Sequence, residues 1–252
     1  MAGNTAAPGT TVTSRVLAIL GAYDDQHRTL SLTQIAERAG LARPTAHRLI
    51  AELVAWGALR RDTRGNYVVG RRLWDLGLLA PVQTGLREAA SPFLHDLYGA
   101  TLATVHLAVR DDTQVLYVDT VRGHASVPIV STVGSRLPLH STGVGKVLLA
   151  HAPEETRRRV LAAPLPRFTP YTITQPAVLA RQLARVGHDG YATTQEEMTL
   201  GACSAAVPVT VDDTVVAALG IVVADLRRTR PRLVAALQVA AQGVTRTLAA
   251  GR

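Results

Sequence analysis

The chain has 252 residues, 47% hydrophobic and 18% charged, which suits one large domain or two ordinary ones with packed cores. Aromatic residues make up only 4%, which argues against a surface that stacks single-stranded bases. The formal net charge of +8 points to a polyanionic partner, of which nucleic acid is the usual one.

Lys146 is the only lysine, so the basic side chains are almost all arginine, the residue that suits phosphate and guanine. Cys203 is the only cysteine, which excludes an internal disulfide and a cysteine-based metal site and fits a reducing cytoplasm. Residues 1–12 are small and polar without a basic start or an apolar run. They read as a disordered tail rather than a signal peptide. No apolar stretch reaches the length of a membrane span, so the expectation is a cytoplasmic protein with no membrane partner.

The first helix is expected over Thr13–Tyr23, with Val16, Leu17, Leu20 and Tyr23 on one face. A second begins after Ser31, where Ser31 and Gln34 have the spacing of a capping box. Leu32, Ile35 and Ala36 face the core, and Gly40 ends the helix. A third carries Pro44 in its first turn and stops at Gly57. Ala46, Leu49, Ile50 and Leu53 form its buried stripe. Two short helices joined through a glycine turn make a helix-turn-helix. Arg43, Pro44, Thr45, His47 and Arg48 stand at the start of the third helix, the part of such a helix that reaches base edges in the major groove.

A hairpin follows, with Leu59–Arg61 and Tyr67–Val69 as arms. Its loop, residues 62–66, has Gly65 and Asn66 suited to positive φ. This is a wing, and Arg60, Arg61 and Arg64 are placed on it to touch phosphates or a minor groove. Residues 13–70 thus form a winged helix-turn-helix. Residues 71–90 read as a helical linker broken at Pro81.

Behind it, alternation over Thr104–Arg110 and Val115–Val121 predicts one antiparallel hairpin turning at Asp111 and Asp112. Ser204–Thr210 and Thr214–Val223 predict another, turning at Asp212 and Asp213. Helical patterns lie near Thr142–His151, Glu154–Ala162, Ala177–Gly187 and Pro231–Leu248. An antiparallel sheet with segregated helices is an α+β domain.

The stretch LSLTQIAERAGLARPTAHRLIAELVAWGALRRD, then GNYVVG, then GSRLPLHSTGVGKVLLA at 134–150 and YTITQPAVLARQLARVGHDGYATTQEEMTLGACSAAVPV at 171–209 together resemble the IclR family of bacterial regulators. The resemblance runs from about Thr13 to Leu248. It implies an effector-binding domain of GAF-like fold over 91–252, homodimers or homotetramers, and operator DNA as partner. It implies a small-molecule effector, an organic acid or aromatic catabolite.

The effector contacts it implies fall in three places. One is Ser141, Thr142, Gly143 and Val144, where Gly143 and Gly145 would offer backbone amides to an anion at a helix start. The second is Thr194, where relatives often have an aspartate, with Gln195 beside it. The third is Ala202 and Ser204 facing Gly220 and Val222; Ser204 stands where cysteine is frequent, and the last two where some relatives carry serine. These departures point to a ligand larger or more apolar than a two-carbon acid.

Catalytic readings fail on their motifs. TGVGKV at 142–147 lacks the first glycine of a phosphate loop, at His140, and its hydroxyl, at Val147, which leaves Lys146 as a structural or surface lysine. A hydrolase using Ser141 or Ser204 with His140 has no nucleophile elbow. Cys203 has no neighbouring arginine or histidine to activate it, and the histidines have no metal spacing. No cofactor is implied. The alternative within the regulators is one that binds DNA constitutively, without sensing. For a sensing regulator, the linker at Leu73–Leu79 carries the change between arrangements, with Trp74 and Leu78 packed on a partner or on their own domain.

Overall fold

The computed structural model describes residues 11–24, 26–79, 84–123, 127 and 129–251. Most of the expected tail, Pro81 and the side chain of Leu78 lie outside what is described. The chain divides into two compact units, residues 1–82 and 83–252.

The first unit opens with α1 (Val12–Leu20), capped by Thr11, whose hydroxyl accepts from the Ser14 amide at 3.0 Å. Ile19 is its buried residue, while Leu17 is 61% exposed. The helix turns about 100° per residue, so the face is Val16, Ile19, Leu20 and Tyr23, with Leu17 rotated off it. This corrects the expected stripe, and Tyr23 lies beyond the helix end.

A two-residue strand, β1 (Thr29–Leu30), leads to α2 (Leu32–Arg38). The capping box forms as expected: Ser31 Oγ accepts from Gln34 N, and Gln34 Oε1 accepts from Ser31 N at 2.9 Å. Gly40 takes a positive φ just past the helix, and α3 (Arg43–Trp56) starts with Pro44 in its first turn. Ala46, Leu49, Ile50 and Leu53 are buried, and Gly57 closes the helix in the left-handed conformation.

Strands β2 (Leu59–Arg61) and β3 (Tyr67–Val69) form the wing, and β1 pairs with β3 to give the order β1-β3-β2. Asp62 Oδ1 accepts from the amides of Arg64 and Asn66, which folds the loop. Gly65 has positive φ; Asn66, expected to share it, does not. The Asp62 side chain already satisfies the Asn66 amide. α4 (Arg71–Leu78) follows.

The second unit begins with α5 (Thr84–Thr101), which runs through residue 90 and carries Pro92 inside it. The strands are β4 (Thr104–Asp111), β5 (Gln114–Val121) and β6 (Arg136–Pro138). Helices α6 (Gly143–Ala150), α7 (Glu154–Ala162) and α8 (Pro176–Asp189) come next. The chain closes with β7 (Ala192–Gln195), β8 (Cys203–Val211), β9 (Thr214–Val223) and α9 (Arg230–Ala250).

The sheet is antiparallel in the order β6-β5-β4-β9-β8-β7. Helices α5 and α9 bury Leu94, Leu97, Leu237 and Val244 against Val105, Leu107, Val207 and Ile221 on one face. Helices α6 to α8 bury Val144, Leu148, Leu179 and Leu183 against Ala108, Tyr117, Ala206 and Ala218 on the other. The result is an α+β chain with a winged helix-turn-helix in front.

One irregularity shapes the second face. A β-bulge between Leu107 and Ala108 leaves Val118 without an opposite residue, so Asp119 pairs with Leu107 but Tyr117 pairs with Ala108. Tyr117 and Thr120, three residues apart, therefore point to the same side of the sheet. Among the described residues no helix is long and apolar enough to cross a membrane.

Candidate functional site

Burial of one side of α3 fixes what the other side presents. Arg43, Pro44, His47 and Arg48 are exposed and Thr45 is half-buried. Arg48 Nη1 sits 3.0 Å from Glu52 Oε1, one turn on, with both side chains more than 60% exposed. Such a pair is weak and exchangeable in water, so Arg48 remains available to a stronger acceptor. On the wing, Arg60, Arg61 and Arg64 are exposed. Arg61 differs from the other two: its Nε donates to Gly65 O at 3.1 Å and its guanidinium lies 5.9 Å from the Tyr67 ring centre. It braces the wing loop as well as charging it. Arg72 stacks over Trp56 at 4.3 Å, a contact sequence reasoning missed; it ties the start of α4 to the end of α3.

In the second unit, the sheet face toward α6 holds a cavity with about 500 Å³ of empty space, part of it open to solvent. All nine residues expected at an effector site, Ser141, Thr142, Gly143, Val144, Thr194, Ala202, Ser204, Gly220 and Val222, line it. Gln195 is exposed and does not. The strand register explains the convergence. Thr194, Ser204, Val222 and Thr104 stand opposite one another in a row across four strands. Ala206, Gly220, His106 and Thr120 form the next row.

The polar groups are sparse. Thr194 Oγ1 and Ser204 Oγ hydrogen-bond at 2.6 Å, and Ser141 Oγ donates to Met198 Sδ at 3.4 Å. Among the described lining residues none has a charged side chain at neutral pH. The Gly145 amide, expected to face an anion, is capped by Thr142 Oγ1 at 3.2 Å and is not in the lining. Gly145 is there for space, since a methyl would meet Leu139 O at 2.5 Å. Gly220 acts similarly: a methyl would meet Val144 Cγ1 at 2.7 Å, so the bare Cα admits α6 rather than only reducing wall polarity.

Sequence reasoning missed His106, Tyr117, Ser131, Leu137 and Met198 in the lining. Alternation in β4 did offer His106 on the face of Ala108; the bulge hid Tyr117. His106 is 2% exposed, its ring edge-on to Tyr117 with centroids 4.9 Å apart. Burial pulls its pKa down to about 4, so it is neutral at physiological pH.

The side chains weighed and set aside as catalytic are held in other surroundings. His140 Nε2 lies 3.0 Å from Pro166 O rather than on Ser141. Burial pushes the Cys203 thiol pKa up. Lys146 is 1% exposed, a structural lysine and not a surface one.

A helix-turn-helix with an arginine-bearing wing, followed by a sheet domain with its own cavity, defines a DNA-binding regulator of two parts. The pattern of the IclR helix-turn-helix domain matches residues 12–63, and that of the bacterial transcriptional regulator IclR C-terminal domain matches 80–246. The chain belongs to the IclR family, whose members are DNA-binding transcriptional regulators rather than enzymes. It is 35% identical over 182 residues to the HTH-type transcriptional regulator BhcR of Paracoccus denitrificans, covering 71% of this chain and 65% of that protein. It is 34% identical over 245 residues to the glycerol operon regulatory protein of Streptomyces coelicolor, covering 94% and 96%. The crystal structure of an IclR homolog from Microbacterium hydrocarbonoxydans complexed with 4-hydroxybenzoate superposes with a TM-score of 0.90 at 33% identity, covering 95% of this chain and all of that one.

Proposed function

We propose that this regulator binds operator DNA through α3 and the wing, and that a small aromatic carboxylic acid in the cavity of the second unit modulates that binding. The observation that carries the proposal is the cavity itself: mainly apolar in its exposed surface, without a charged side chain among its described lining, and with hydroxyls that include Ser141, Thr194 and Ser204. Such a site favours an apolar body with few polar anchors. The relative at 33% identity, crystallised with 4-hydroxybenzoate, supports the aromatic class. The carboxylate meets Ser141 and the amides of Gly143 and Val144, which as the first residues of α6 have no intrahelical acceptor.

On DNA, Arg43, Pro44, Thr45, His47 and Arg48 face the major groove, while Arg60, Arg61 and Arg64 meet phosphates or the minor groove. The working form is a homodimer or homotetramer. Trp74 is 60% exposed, and Leu76 and Leu79 are exposed beside it, an apolar face suited to a partner copy. The effector binds one arrangement of the DNA-binding units better than another and shifts the population.

Calorimetric titration of the purified chain tests the effector class. Benzoate-type acids bind and glyoxylate and pyruvate do not; tight binding of the small acids alone contradicts the proposal.

A further inference from the structure

Of the buried side-chain atoms in the second unit without a hydrogen-bond partner among the described residues, three stand on the neighbouring strands β4 and β5: Thr104 Oγ1, His106 Nδ1 and Thr120 Oγ1. The sheet brings them together. Thr104 and His106 are two apart on β4, and Thr120 stands directly across from His106 on β5, turned to this face by the bulge. Unsatisfied buried polar atoms are rare, and three in adjoining positions beside a cavity call for a ligand group. The other ring nitrogen, Nε2, has only a long contact of 3.4 Å to Ser131 Oγ. His106 lines the cavity, while Thr104 and Thr120 flank it behind the lining.

The cavity therefore has two polar ends. One lies on β7 and β8, at the Thr194–Ser204 pair, with the start of α6 directly above it: a methyl on Gly143 would sit 2.6 Å from Ser204 Oγ. The other lies at His106. Strand β9 separates them, and its residues on this face, Gly220 and Val222, carry no polar side-chain atom. Two strand spacings amount to roughly 10 Å, the reach of one flat ring with a polar group at each end plus its hydrogen bonds.

Resting on the aromatic-acid reading above, we infer that His106, with Thr104 and Thr120 beside it, reads an uncharged hydroxyl on the ligand, opposite the carboxylate held at α6. The effector is then a hydroxylated single-ring monocarboxylate. A ring with a second carboxylate is disfavoured, because no cationic side chain stands among the described lining residues and burying the charge unpaired is costly. An unsubstituted ring binds weakly, because it leaves the ring nitrogen unsatisfied.

The test is calorimetry on the full chain with benzoate, 4-hydroxybenzoate and terephthalate. The expected order is 4-hydroxybenzoate tighter than benzoate by about tenfold or more, with no detectable terephthalate binding. In His106→Leu the advantage of the hydroxyl collapses to within about twofold, which is within the scatter expected when no hydrogen bond distinguishes the ligands. Should that variant fold poorly, Thr120→Val narrows the same gap. Equal binding of benzoate and 4-hydroxybenzoate to the parent chain, terephthalate as the tightest ligand, or a gap that survives in both variants overturns this inference alone. Failure of all three acids to bind overturns the aromatic-acid reading with it.

Discussion

Lys146 Nζ and Glu197 Oε1 meet at 2.5 Å in the interior of the second unit, the lysine 1% and the carboxylate side chain 7% exposed. Lys146 comes from α6, whose first residues line the cavity, and Glu197 from the segment that carries Met198, Thr199 and Ala202 into the same lining. Gln182 Oε1 accepts a second bond from Lys146 at 2.7 Å, and Thr172 Oγ1 donates to Glu197 O at 2.6 Å. Burial pulls the Lys146 pKa down and pushes that of Glu197 up, each partly offset by the other. The pair fastens one wall of the cavity to the helix that starts the other.

Breaking that pair on one side strands a buried charge. Lys146→Met lowers unfolding stability by about 3–5 kcal/mol, read by urea denaturation. Lys146→Met combined with Glu197→Leu recovers most of the loss, because the stranded carboxylate is gone. A double variant as unstable as the single one contradicts this.

His106 makes stability depend on pH. Its folded pKa near 4 lies below the usual 6.5. As pH falls from 6.5 toward 4 the unfolded chain takes up a proton that the folded chain refuses, so folding loses up to about 3 kcal/mol over that window. Chemical denaturation at pH 7.5, 5.5 and 4.5 shows the decline, and His106→Leu shows less of it.

The glycines of α6 separate fold from site. Gly145→Ala meets the backbone of Leu139, which cannot step aside, and costs about 1–3 kcal/mol in thermal unfolding. Gly143→Ala meets the Ser204 hydroxyl, which can rotate. That variant keeps its melting temperature within a few degrees and loses ligand affinity, as the Thr194–Ser204 pair is displaced.

On the DNA side, Arg48→Ala weakens operator binding by roughly 10- to 100-fold, equivalent to about 1–3 kcal/mol. Arg64→Ala weakens it less selectively and lowers the slope of log affinity against log salt by about 1. Fluorescence anisotropy over a salt series measures both. Two variants that bind like the parent would put the interface elsewhere.

Features set by local chemistry were legible in the sequence. Ser31 with Gln34, Pro44 with Gly57, and the Asp212–Asp213 turn each satisfy backbone needs within a few residues, and each appears where expected. Strands β1, β6 and β7 were not legible, since two to four residues are too few to show alternation and their pairing is decided across the sheet. The stripe of α1 was misjudged by one position because Leu17 and Ile19 are equally apolar and only the partner helices choose between them. The nine residues named through the resemblance line one cavity. His106 and Tyr117 did not, because a bulge between two unremarkable residues, Leu107 and Ala108, sets which side chains share their face.

The measurement that bears most directly on ligand-controlled DNA binding is a gel-shift titration of the full chain. The probe is DNA from upstream of its own gene and its divergent neighbour, with salt varied, unrelated DNA as competitor, and 4-hydroxybenzoate present or absent. Competitor-resistant binding whose midpoint moves when the acid is added is the predicted result. Binding no stronger than to unrelated DNA, with and without the acid, would contradict the account.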